Sequence, residues 1–249
     1  NDTDSALAHF DKALALNPYF MDVFTHIIRA YASQKQYSQA INRCDAHFEK
    51  IGDNPIAGSV ILNLKANLML AQNKEDEGKA LLDQAIEKNP GHVTPYITRA
   101  RLYIRDNNLE KALATYQALT ENRPDLAAPF EQMGTLYEKL GQPEQAETAY
   151  KTALDIDPEY VPAMNNLAYL YAEQYKELNK ALELARQAKK RLGRVPAVMD
   201  TLGWVYYKRE LYDMAITEFE ACVEKEPNNP IFTYHLGLTH YKLGNYAKA

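Results

Sequence analysis

The sequence predicts an all-α fold, an array of antiparallel helix pairs stacked side by side, and three observations carry that prediction. The chain repeats itself about every 34 residues, a period that marks stacked supersecondary units rather than one globular core. Small residues recur in two columns. Gly134 aligns with Ile28, Ala66, Ala100, Ala168, Gly203 and Gly237, and Ala146 aligns with Ala6, Ala40, Gly78, Ala112, Ala181, Ala215 and Ala249. Helix stops recur as well: Pro18, Pro90, Pro124, Pro158 and Pro227, with Gly52 and Gly193 in the two remaining places.

Residues 1–20 supply one helix, the second member of a pair. Full repeats follow at 21–58, 59–92, 93–126, 127–160, 161–195 and 196–229, and residues 230–249 supply a first helix and the start of another. The whole of 1–249 therefore reads as a single array. In the repeat 127–160, Phe130, Met133, Gly134 and Tyr137 fall at i, i+3, i+4 and i+7, which is one face of a helix. Gly141 ends that helix. A second helix runs from Pro143 to Ile156, with Ala146, Ala149, Tyr150 and Ala153 inward, and Pro158 stops it. An aromatic column, Tyr31, Tyr103, Tyr137, Tyr171 and Tyr206 with Met69 as substitute, keeps the same phase. Pro95, Pro129, Pro162, Pro196 and Pro230 stand at the first turn of the next helix, where a missing N–H costs little. The first full repeat has extra residues around Asn54–Gly58, which predicts a longer turn or a helix extension. The fifth has one extra near Tyr175–Asn179. The chain starts inside a repeat and stops at a position that should begin a buried helix, so the sequence reads as a fragment of a longer repeat protein.

This pattern, carried by Phe130, Met133, Gly134, Tyr137, Gly141, Ala146, Tyr150, Ala153 and Pro158, resembles the tetratricopeptide repeat family along essentially the whole chain. The resemblance implies a superhelical solenoid whose first helices line a concave face, along which extended or short helical peptides lie.

Composition narrows the function. The net charge of −5 offers no global basic field for nucleic acid, and no run of 18 apolar residues is present to span a membrane. Cys44 and Cys222 fall in inner columns five repeats apart, which predicts buried, unbridged thiols. The six histidines show no metal-ligand spacing, and His47 reads as a core residue. No phosphate-cradling glycine loop or nucleophile elbow occurs. An open groove also lacks the closed cleft that catalytic carboxylates need. The expectation is a protein that is not an enzyme and that uses no metal and no cofactor.

The candidate binding residues are those opposite the packed stripe of each first helix. In the N-terminal half these are Arg29, Asn63, Asn67, Arg101 and Arg105, a basic and amide-rich set suited to carboxylates and peptide groups. In the C-terminal half they are Glu131, Gln132, Asn165, Asn166, Tyr169, Asp200, Trp204, Tyr207, Tyr234, His235 and Tyr241, a set that is aromatic and mildly acidic. The plainer alternative is that the tyrosines pack against the next repeat and Trp204 covers a junction between repeats. Family members that clamp the acidic tails of chaperones need lysine and asparagine in the first repeat's groove, where this chain has Thr25 and Arg29, with Asn63 and Asn67 in the next repeat, so that match is partial. Segments 163–174, 198–216 and 234–249 resemble terminal repeats of bacterial envelope proteins tied to exopolysaccharide export and surface-protein sorting.

The reading is a scaffold that binds a protein or peptide segment in its groove. Two alternatives stand beside it. One is a substrate-selecting arm of a larger enzyme such as a glycosyltransferase, although only Asn166 occupies the column of that family's asparagine ladder. The other is an export component that touches polysaccharide through Trp204 and the tyrosines. Leu and Tyr residues at an uncapped end suit end-to-end self-association. The bacterial cytoplasm and the periplasm both fit.

Overall fold

The structure, a computed structural model, describes residues 2–175 and 177–247. The described residues form 14 α-helices and no strand. In order they are α1 (Asp2–Leu16), α2 (Met21–Ser33), α3 (Tyr37–Ile51), α4 (Pro55–Ala71), α5 (Glu75–Lys88), α6 (Val93–Arg105), α7 (Leu109–Asn122), α8 (Ala127–Lys139), α9 (Pro143–Ile156), α10 (Val161–Leu170), α11 (Leu178–Leu192), α12 (Pro196–Lys208), α13 (Tyr212–Lys225) and α14 (Pro230–Lys242). A π-helical turn, Tyr171–Tyr175, continues α10 at the place where the fifth repeat carries its extra residue. The chain forms two compact units, residues 1–123 and 124–249. The position of Ala249 lies outside the described residues.

The stops act as the backbone chemistry requires. α1, α5, α7, α9 and α13 each end two residues before the proline of the stop column, and α3 and α11 end at Gly52 and Gly193. The turn inside a pair has its own device. Lys35, Asn73, Asn107, Gly141 and Glu210 all have positive φ, as does Gly244 after α14. The next amide then reaches back to a fixed carbonyl: Gln36 to Tyr31, Lys74 to Met69, Asn108 to Tyr103, Gln142 to Tyr137, Leu211 to Tyr206 and Asn245 to His240. Five of those six acceptors belong to the aromatic column of the sequence and its methionine substitute. The extra residues at Asn54–Gly58 extend a helix: α4 runs 17 residues, opened by Pro55 and capped by the Asn54 side chain, which accepts from the Ala57 amide at 3.0 Å.

The small columns sit where two helices of a pair touch. Ala40, Ala112, Ala146, Ala181 and Ala215 have no exposed surface. A Cβ at Gly134 would stand 2.4 Å from the Tyr150 ring, and one at Gly203 would stand 2.7 Å from the Phe219 ring. Glycine is therefore required there by packing, not by backbone conformation. Cys44 and Cys222 are free and fully buried, and burial pushes each thiol up to about 12. They behave as small apolar side chains. His47 stacks on Phe24 at 4.3 Å and meets the Pro18 carbonyl at 2.9 Å, and burial holds its imidazole below the usual range.

Candidate functional site

The first helices of the pairs, α2, α4, α6, α8, α10, α12 and α14, carry the candidate residues, and the two units use them differently. In the N-terminal unit the faces of α2 and α4, with the start of α6, border a cleft of about 480 Å³. Ile28, Leu64 and Leu68 give it an apolar wall. Thr25, Arg29, Asn63, Asn67, His92 and Thr94 give it polar groups. Arg29 and Asn67 are exposed, and Asn63 is buried. His92 enters from the loop before α6 and is fixed there by Ser59, whose Oγ lies 2.7 Å from His92 Nδ1 and 2.6 Å from the Ala85 carbonyl. Burial holds the His92 imidazole below the usual range.

Arg101 and Arg105, one candidate patch in the sequence, lie four residues apart on α6 and differ in their surroundings. Arg101 is exposed on α6. Arg105 pairs with Glu75 and with Asp106 at 2.8 Å, and Lys79 joins the same two carboxylates at 2.6 and 3.2 Å. The hydrogen bonds from Lys79 and Arg105 hold Glu75 below the usual carboxylate range, and Arg105 does the same for Asp106. Arg105 is thus engaged in a surface ion network at the α6–α7 turn.

In the C-terminal unit the equivalent columns are largely consumed by contacts between successive first helices. Glu131 of α8 is 5% exposed and accepts from Gln132 Nε2 at 2.7 Å, from Asn166 Nδ2 of α10 at 2.8 Å and from Thr135 Oγ1 at 3.3 Å. Burial pushes its carboxyl above the usual range against those three donors. Glu138, further along α8, is likewise raised by burial while it accepts from the Tyr150 hydroxyl. The Asn165 Oδ1 is buried without a partner.

Trp204 and His235, expected on an open face, are instead 8% and 7% exposed. The reason is the arrival of α14. His235 stacks on the indole at 4.4 Å, while its Nδ1 lies 2.8 Å from Asp200 of α12. Tyr207 stacks on the indole at 5.0 Å, and Lys208 Nζ stands 5.0 Å from the ring centroid. The indole N–H donates to Glu173, which also pairs with Lys208 at 2.8 Å. Trp204 therefore pins the junction of α12 and α14. The residues left open are Tyr169 at 39%, Tyr234 at 63% and Tyr241 at 59% exposure. Burial, with Glu173, Glu138 and Asp200 near by, raises the Tyr169 phenol.

A signal for these contacts does exist in the sequence. Asn166 lies 35 residues from Glu131, and His235 lies 35 residues from Asp200. Complementary side chains about one period apart on first helices face each other. Asp22, His92 and Thr94, which line the N-terminal cleft, fall outside the columns that sequence reasoning uses. Among the described residues no helix is long and apolar enough to cross a membrane, and no group of three His, Cys, Asp or Glu could hold a metal ion.

Three family profiles, each described as tetratricopeptide repeat, match residues 69–131, 106–159 and 201–249. Subunit 7 of the anaphase-promoting complex is 26% identical over 106 residues in Mus musculus and 24% identical in Homo sapiens. Each match covers 42% of this chain and 18% of the relative, so the chain spans less than a fifth of the length of these relatives. Among solved structures, the hetero-tetramer Cut9–Hcn1 of the same complex aligns over 98% of this chain and 47% of its own, with TM-score 0.68 and 16% identity. A tetratricopeptide repeat protein from Parabacteroides merdae aligns over 92% and 88%, with TM-score 0.64 and 18% identity. YrrB, described as having an unusual peptide-binding site, aligns over 77% and 96%, with TM-score 0.57 and 17% identity. At these identities the structural likeness is a likeness of fold.

Proposed function

We propose that this chain, a tetratricopeptide repeat protein, is a non-catalytic scaffold that holds a segment of another protein against the first helices of its pairs. The observation that carries this reading is the cleft along α2, α4 and the start of α6, where exposed Arg29 and Asn67 stand beside an apolar wall. A mixed wall of this kind can bury an apolar side chain and hydrogen-bond a backbone at the same time, which is what recognition of a peptide requires. In the C-terminal unit the open groups of the corresponding helices are Tyr169, Tyr234 and Tyr241, whose rings combine contact area with a polar end. Among the described residues, the two thiols are buried and His47, His92 and His235 are fixed in packing, an arrangement that favours a non-catalytic role. The relatives in the anaphase-promoting complex are subunits of a larger assembly, which is compatible with this reading, and so is the peptide-binding site described for YrrB.

The test is site-resolved photocrosslinking. A benzophenone side chain is placed at Asn67 or Tyr169 on first helices, and at exposed Glu87 or Glu224 on second helices. A partner captured from the first-helix positions and not from the second-helix positions supports the reading. Capture that is equal at all four, or that occurs only from Glu87 and Glu224, overturns it.

A further inference from the structure

A cavity of about 340 Å³ lies between two second helices of the N-terminal unit, α1 and α3, and shares no residue with the first-helix cleft. Its volume falls at the low end of the roughly 300–1,000 Å³ that small-molecule sites occupy. Two stripes build its walls. Asp11, Leu14, Ala15 and Pro18 come from α1 and the turn after it. Arg43, Ala46, His47 and Lys50 follow them on α3, each 32 residues further along the chain. Phe24 of α2 forms the floor, fully buried and stacked on the His47 ring at 4.3 Å.

The polar groups around this apolar slot differ in what they still need. Arg43 is paired with Asp11. Lys50 is exposed and has no carboxylate partner among the described residues. The Pro18 carbonyl can only accept, so His47 Nε2, 2.9 Å away, carries the ring proton. His47 Nδ1 is then a bare acceptor, unpartnered among the described residues and not closed to solvent. Asp11 cancels Arg43, so Lys50 leaves one positive charge at the slot, in a chain whose net charge is −5.

These groups specify a ligand. The walls and floor take a hydrocarbon body. Lys50 takes one negative charge, and a phosphate would bring a second beside Asp11. Nδ1 takes a donor, and that donor is uncharged. Burial holds the His47 imidazole below the usual range, and the charges of Lys50 and Arg43 push the same way. A field that opposes protonation of the ring also opposes an ammonium group set against it. His47 and Lys50 stand one helical turn apart, so the donor and the anion sit on neighbouring carbons.

We propose that the cavity between α1 and α3 binds a small α-hydroxycarboxylate with an apolar body. Its carboxylate pairs with Lys50 Nζ, its hydroxyl donates to His47 Nδ1, and its hydrocarbon lies on Leu14, Ala15, Ala46 and Phe24. This site goes beyond the scaffold reading and does not depend on it, since none of the candidate binding residues takes part.

The probe is leucic acid, the α-hydroxy analogue of leucine, titrated into the full chain by calorimetry. Isocaproic acid, which lacks the hydroxyl, and leucine, which carries an ammonium in its place, should each bind about tenfold more weakly, the loss of one hydrogen bond. Lys50→Ala should weaken leucic acid about tenfold. Ala46→Phe should abolish its binding by filling the slot, with circular dichroism unchanged because Ala46 is exposed. Should Ala46→Phe disturb folding, Lys50→Ala, also at an exposed position, carries the test alone. The proposal is overturned if leucic acid fails to bind at millimolar concentration, or if Lys50→Ala leaves its affinity unchanged. It is equally overturned if leucine or isocaproic acid binds as tightly as leucic acid. Crosslinking from Asn67 and Tyr169 decides the scaffold reading separately, since neither residue lines this cavity.

Discussion

The same columns of the same kind of helix do opposite work in the two units. On α2 and α4 the candidate positions line a cleft, with one acceptor unsatisfied and two polar side chains in solvent. On α8, α10, α12 and α14 several of them are spent on each other, as Glu131 with Asn166 and Asp200 with His235 under the Trp204 ring, while Asn165 Oδ1 is also unpartnered and Tyr169, Tyr234 and Tyr241 stay exposed. A column on a first helix therefore identifies a location, and its partner one period away decides whether that location is surface or joint. Where complementary groups face each other the surface closes. Where Arg29, Asn63 and Asn67 face no such partner it stays open.

The largest expected effect breaks or confirms this contrast directly. Trp204→Ala removes the ring held between Tyr207 and His235 and should cost about 3–5 kcal/mol of stability, the range for a buried Trp truncated to Ala. Arg29→Ala, at an exposed position, should change stability by less than about 0.5 kcal/mol. Urea denaturation of the two variants measures both. Equal small effects would return Trp204 to the surface and remove the difference between the units.

Next in size is the close contact that both units need for their helix pairs. Gly134→Leu drives a side chain into the Tyr150 ring and should cost on the order of 1–3 kcal/mol by overpacking. The Tyr150 hydroxyl also loses its position against Glu138, so the near-ultraviolet tyrosine signal should change with the melting temperature. An unaltered melt would mean that the pair can separate at little cost.

Acidification should move the two units in opposite directions. In the N-terminal unit burial holds His47 and His92 below their ordinary 6.5, so the unfolded chain takes up protons first. The stability they contribute is present above pH 6.5 and is lost as pH falls through the lower folded values. In the C-terminal unit burial raises Glu131 and Glu138 above their ordinary 4.5, so the folded state binds protons first. Their contribution is complete below 4.5 and is lost as pH rises through the folded values. Hydrogen exchange at about pH 7.5 and about pH 5, corrected for intrinsic rates, should show protection falling in α3 and α5 and rising in α8. A parallel fall in all three would show that ion pairs, not buried groups, set the acid response.

The fold was legible because its signals are local. Pro158 ends a helix wherever it stands, and Ala146 aligned with Ala215 and Ala40 reads as a contact without knowledge of the partner. The choice of helix for the candidate site was legible for the same reason, since an i, i+3, i+4 stripe defines its own opposite face. Exposure was not. Trp204 looks like a solvent anchor on α12 alone and becomes a joint only when His235 of α14 covers it. Asn63 looks like any groove asparagine until the absence of a donor is seen in three dimensions. His92 and Thr94 line the cleft from a loop and a helix start, where no stripe points to them.

The smallest effect tests the feature that the two units share, and so serves as the control for every contrast above. Among the described residues, the turns after α2, α4, α6, α8, α12 and α14 each hold a left-handed residue. Lys35 in the N-terminal unit and Glu210 in the C-terminal unit occupy it at φ 57° and 61°, while Gly141 occupies it at 70°, with nothing within 4 Å of the point where a Cβ would stand. A side chain in that conformation costs about 1–2 kcal/mol, and glycine gives back about 0.5–1 kcal/mol through the freer unfolded chain. Lys35→Gly and Glu210→Gly should each therefore gain about 0.5 kcal/mol, and Gly141→Ala should lose a similar amount for backbone reasons alone. Chemical denaturation of the three variants checks this, with replicate precision of a few tenths of a kcal/mol required. Equal gains in Lys35→Gly and Glu210→Gly would show that the turn scaffold is the same on both sides of residue 123 and that the units differ only in what their first helices face. A gain in one and a loss in the other would mean that one side chain holds its turn through contacts of its own, and the difference between the units would then extend to the scaffold itself.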